Sequence, residues 1–93
     1  MKKKIREAIE KATVVCEVAE KIEDMELDGR SEETTGMLMW FAEYIDKALL
    51  EYKTWGESES DEEEEEKIEY LGVLGRLLIT AMNIRFRGIV LDE

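Results

Sequence analysis

A chain of 93 residues is long enough for one core of modest stability, with roughly 60–65% of the unfolded surface buried on folding. It carries 24 Asp and Glu against 13 Lys and Arg, a formal net charge of −11, with one cysteine and no histidine. That composition excludes an internal disulfide and every histidine-based catalytic or metal arrangement, and it disfavours direct nucleic-acid binding and anionic membranes.

The hydrophobic share of 44% is ordinary for a folded domain, and proline is absent, so long uninterrupted helices are expected. The longest apolar run, residues 37–42, falls far short of the roughly 20 residues a membrane-spanning helix needs. The N-terminal lysines lead into alternating charges, with no signal-peptide core, so a cytoplasmic location is the expectation.

The first helix is predicted over residues 3–27. Ile5, Ala8, Ala12, Val15, Ala19 and Ile22 recur at spacings of three and four, with Ile9, Cys16 and Val18 broadening the stripe. Cys16 therefore reads as a small core residue. Asp28-Gly29-Arg30-Ser31 reads as a turn, with Gly29 closing one helix and Ser31 capping the next. The second helix is predicted over 32–55, on Leu38, Phe41, Ile45, Ala48, Tyr52 and Trp55, and Gly56 is a natural stop.

Residues 56–60 form an acidic loop. Ser60 and Glu63 have capping-box spacing, which starts the third helix at Asp61 and carries it to 87. Its expected core face is Leu71, Leu74, Leu78 and Ala81. Val73, Leu77, Ile79, Ile84 and Phe86 make it apolar nearly all round, the pattern of a helix buried nearly all round. Gly72 and Gly75 lie inside it at about 1 kcal/mol each, which suggests either a backbone or large ring packed close by or a break in the helix. Residues 88–93 are an apolar tail of open conformation.

The expected fold class is all-α: a single domain of three long helices in an up-down-up bundle, with a second apolar face available for self-association. Charge placement agrees. Parallel first and third helices bring Lys2, Lys3, Lys4 and Arg6 beside the acidic tract, and Arg85 and Arg87 toward Asp24, Glu26, Asp28, Glu32 and Glu33.

Two features bear on function. Residues 37–41 are five large apolar side chains in succession, which a helix turning about 100° per residue cannot aim at one core. Leu38 and Phe41 belong to the stripe. Met37, Trp40 and Tyr44 form a second one, and Met39 is left over, so Met37, Met39, Trp40 and Tyr44 are the candidate partner-binding residues, as homodimer contacts or as a site for another protein. The alternative is a second helix buried on two sides within the monomer. The tract Asp61, Glu62, Glu63, Glu64, Glu65 and Glu66 is the candidate acidic surface, suited to steering a basic partner. Small acidic phage inhibitors, anti-CRISPR proteins among them, mimic nucleic-acid charge in this way.

Glu17-x-x-Glu20 with Glu43-x-x-Asp46 resembles the metal motif of the all-α nucleoside triphosphate pyrophosphatases, a likeness that implies magnesium held by Glu17, Glu20, Glu43 and Asp46. Read from the residues, those carboxylates point away from the apolar stripes and form solvated helix faces. With no histidine and no glycine-rich phosphate loop, the sequence favours a non-enzymatic protein-binding module or inhibitor without cofactors. The magnesium-dependent hydrolase and a structural homo-oligomer are the alternatives.

Overall fold

In a computed structural model, residues 2–25, 27 and 31–90 are described, and they form three helices: α1 (Lys2–Asp24), α2 (Glu32–Thr54) and α3 (Asp61–Val90). The all-α bundle expected from the periodicity is the fold. Its principal extents, 51 × 19 × 18 Å, are those of a rod set by α3, whose 30 residues span about 45 Å at 1.5 Å each.

The local sequence explains where the helices start and stop. The Ser31 hydroxyl accepts the Thr34 amide at 3.1 Å, so Ser31 is the N-cap of α2 as predicted. Ser60 accepts the Glu63 amide at 3.1 Å in the same way at the head of α3. Glu63 completes the capping box by accepting the Glu59 amide at 3.1 Å, one residue upstream of the usual donor. Gly56 takes φ +69°, the left-handed conformation that lets the chain leave α2. The predicted Gly29 cap, Glu26 and Asp28 lie outside the described residues.

Two helix ends differ from expectation. α1 ends at Asp24 rather than 27, and the Met25 amide donates to the carbonyls of Lys21 and Ile22 in a closing turn. α3 does not end at 87 but continues through Gly88 to Val90. With no proline and a run of β-branched and apolar residues following, a single glycine is too weak a break to end a 27-residue helix.

Three ties run in order along α1 and α3: Arg6 with Glu66 and Glu69, Glu20 with Arg76, and the Glu23 carbonyl with the Arg87 guanidinium. That order makes the two helices parallel. Trp55 against Tyr70 and Phe41 against Leu77 make α2 antiparallel to α3. The path is up, down, up. α3 is the shared element, its backbone lying beside both other helices, whereas α1 and α2 meet through side chains.

Packing follows a seven-residue rhythm, as in coiled coils, where facing stripes must stay in register along straight helices. α1 buries Ile5, Ile9, Ala12, Cys16 and Ala19; α2 buries Thr34, Phe41 and Ala48, and its C-cap Trp55 continues the rhythm. α3 buries Glu63, Tyr70, Leu77 and Ile84 at sevenfold spacing, with Lys67 and Leu74 between them. One cluster gathers Ile5, Ile9, Ala48, Trp55, Tyr70 and Leu74, and a second gathers Cys16, Ala19, Phe41 and Leu77.

The core face of α3 corrects the sequence reading. Leu74 and Ala81 point inward as expected, but Leu71 and Leu78 are exposed, and Tyr70, Leu77 and Ile84 take the centre. The stripe 71–74–78–81 and the stripe 70–74–77–81–84 have the same periodicity, and a helix apolar on both sides gives the sequence no means to choose. Nor is α3 buried nearly all round: its outer half is bare. Gly72 and Gly75 lie there, and a Cβ at either would meet nothing within 4 Å. Among the described residues no backbone or ring explains them.

Candidate functional site

α2 divides the candidate partner-binding residues between two sides. Met37 and Tyr44 turn toward α1 and pack on the second core cluster. Trp40 lies on that side too, stacked on Tyr44 with 5.8 Å between ring centroids and set edge-on to Phe41. It remains 54% exposed. Together with Val15 it walls a groove between α1 and α2 into which Lys11, Glu43 and Lys47 project. Burial pushes the Tyr44 hydroxyl above its ordinary pKa, with the nearby Glu51 carboxylate adding to the rise. Met37 and Tyr44 are thus partly covered within the chain and Trp40 is half bare, while α3, not α2, is the helix shared by the other two.

Met39 lies on the other side. It is 61% exposed and lines a shallow apolar groove between α2 and α3 with Leu38, Ala42, Ala81 and Met82, with Arg85 at the rim. This groove opens onto the outer face of α3. There Ile68, Leu71, Leu78, Ile79, Met82 and Phe86 are all exposed. Helical projection at 100° per residue puts these six and the two glycines within one arc of about 120°, with no charged residue inside it between 68 and 86. The sequence carried the signal, since Ile68, Gly72, Gly75, Ile79, Met82 and Phe86 repeat at four-three spacing. The inward repeat beside it accounts for a helix by itself, so periodicity alone does not set the outer repeat apart.

The acidic tract is only partly a surface. Glu63 and Glu66 are buried, a correction to the six-residue acidic face. Glu63 caps the helix and lies 3.9 Å from the Lys67 ammonium, which also donates to the Gly56 carbonyl at 2.7 Å. Glu66 lies 3.7 Å from the Arg6 guanidinium. Positions 63, 66 and 67 fall on the inward face of α3, so these charges are turned in by helical phase and each faces an opposite charge, although Glu63 Oε1 makes no hydrogen bond. Asp61, Glu62, Glu64 and Glu65 remain exposed.

The four carboxylates of the pyrophosphatase resemblance are not assembled into a site. Glu20 is held by Arg76, whose hydrogen bond and charge keep its carboxyl below the usual range. Glu43 stands in the α1–α2 groove beside two lysines, and Glu17 and Asp46 are exposed. Among the described residues, no three carboxylate or thiol side chains are placed to hold a metal ion. Cys16 is a core residue as expected: it is buried, burial raises its thiol pKa, and it donates weakly to Glu20 at 3.6 Å.

Among the described residues no helix is long and apolar enough to cross a membrane. Compared with protein families, curated proteins and solved structures, the chain matches none of them.

Proposed function

We propose that this protein is a non-enzymatic protein-binding module or inhibitor, acting through the apolar face of α3 and the adjoining edge of α2, with the outward acids of the tract orienting its partner. The observation that carries this reading is the bare outer arc of α3. Six large apolar side chains on one helix face exceed the scattered exposure ordinary in a monomer, and they extend into the Met39 groove. Asp61, Glu62, Glu64 and Glu65 stand at one end of that face, where their charge favours a basic rim and accelerates encounter at low salt.

Affinity capture on the immobilised chain tests this reading against two variants. Ile79→Glu places a charge at the middle of the face and is expected to abolish binding of the specific partner, while the helical signal persists. Neutralising Asp61, Glu62, Glu64 and Glu65 is expected to slow association mainly at low salt. A bound set unchanged by both variants would sink the proposal.

A further inference from the structure

The outer face of α3 has the pattern of a coiled-coil seam. Ile68, Gly72, Gly75, Ile79, Met82 and Phe86 follow the alternation of four and three that keeps one stripe facing a partner helix, and they sustain it for 19 residues, about 27 Å of helix. A globular surface has no need of that register. α3 therefore carries two such seams, and the chain's own α1 and α2 fill only the inner one.

We propose that a second copy of this chain covers the outer seam, α3 against α3 in antiparallel orientation. This inference rests on the docking reading above for the face itself, and puts a second copy there in place of the basic partner. The two glycines are its first support. Each weakens the helix by about 1 kcal/mol relative to alanine, and among the described residues nothing lies within 4 Å of where its Cβ would stand. On a seam they become useful, because a missing Cβ lets a second helix approach closely and leaves a hole for a facing side chain such as Ile79 or Met82.

Size is the second. Ile68, Leu71, Leu78, Ile79, Met82 and Phe86, with Met39 beside them, offer roughly 600–800 Å² per chain, close to the ~800 Å² that each partner contributes to a standard interface. A two-fold interface uses the same patch on both chains, so one self-complementary face is sufficient.

Charge fixes the direction. Asp61, Glu62, Glu64 and Glu65 stand outward at the N-terminal end of α3, and Arg85 flanks the seam near the other end. A parallel pair would superpose both sets of carboxylates in addition to the charge of −11 on each chain. An antiparallel pair separates each set from its own kind and sets it toward the end of the other chain's α3 that carries Arg85.

The test is mass in solution by light scattering across concentration, on the full chain and on Ile79→Glu, with circular dichroism on both. The full chain is expected at twice the chain mass at micromolar concentration. Ile79→Glu is expected at the chain mass with its helicity retained, since Ile79 touches no core cluster. Orientation is read with a bismaleimide linker. Mixed Ile68→Cys and Met82→Cys chains are expected to join to each other, with neither joining to itself; a parallel pair gives the opposite pattern. Self-joining of either single variant overturns the antiparallel arrangement. A full chain that stays monomeric overturns self-association. In that case, loss of a captured partner on Ile79→Glu leaves the docking reading standing, whereas capture unaffected by it removes both.

Discussion

At the residue scale, the informative side chains are the charged ones that turned inward. Glu63 caps α3 through the Glu59 amide and faces Lys67, whose ammonium is tied to the Gly56 carbonyl, so one carboxylate joins the loop 56–60 to the helix that follows. Replacing Glu63 by alanine removes the acceptor of the Glu59 amide and leaves a buried ammonium with a single carbonyl partner. The expected cost is about 3 kcal/mol or more in urea unfolding. Glu64→Ala, one residue on but exposed, is expected to shift stability by no more than about 0.5 kcal/mol. Equal effects from the two would remove the distinction between them. In sequence they are neighbours in one run of glutamates. The capping-box spacing made Glu63 visible, but its burial depended on which face of α3 points inward, and the apolar pattern left that undecided.

Tyr70 shows the same dependence on its surroundings. Its ring is buried between Trp55 and Leu74, and its hydroxyl donates to the Ala48 carbonyl at 3.4 Å. Burial, with smaller contributions from Tyr44 and Glu51, pushes its pKa up to about 12. The folded state thus holds the proton more tightly than the unfolded chain, whose tyrosines ionise near 10. Stability from this group is complete below pH 10 and is lost as pH rises toward 12, a loss of about 2–3 kcal/mol for a shift of two pH units. Stability measured by denaturant unfolding between pH 9 and 12 is expected to fall in that window, and Tyr70→Phe is expected to flatten much of the fall. A variant that follows the full chain throughout would assign the alkaline loss to other groups.

Among the elements, α3 separates what was legible from what was not. Its existence, its Ser60 start and its direction relative to α1 all follow from local chemistry and from the charges at its ends. Its core face does not. Leu71 and Leu78 match the inward periodicity as well as Tyr70 and Leu77 do, and only the width of the neighbouring helices' stripes decides between them. α1 is easier, because polar residues occupy much of its outer side, although Val18, expected to broaden its stripe, is exposed. The glycines of α3 give this element its own prediction. On an Ile79→Glu background, where seam pairing is blocked, Gly72→Ala and Gly75→Ala should each raise stability by about 1 kcal/mol, since a Cβ at either position meets only open space. Thermal or denaturant unfolding reads the change directly. A loss of stability in that background would mean that the chain itself packs against those positions.

For the whole molecule, the order of the helices in sequence is not the order of their intimacy. α1 and α3, the two ends of the chain, lie backbone to backbone and are held by Arg6, Arg76 and Arg87 along their length. α2, covalently between them, packs on α3 less closely and reaches α1 only through side chains across a groove lined by Lys11, Tyr44 and Lys47. Free energy of local opening tracks the apolar surface and tertiary ties an element must give up. α2 gives up Phe41, Ala48 and Trp55, whereas opening either α1 or α3 dismantles the closest pairing in the bundle and the ion pairs with it. Native-state hydrogen exchange is therefore expected to show the buried amides of α2 opening as a unit at lower free energy than those of α1 and α3. The order should persist in Ile79→Glu, because it arises within one chain. Equal protection in all three helices would mean that the bundle opens only as a whole, and that the core contacts of α2 make up for its more distant backbone.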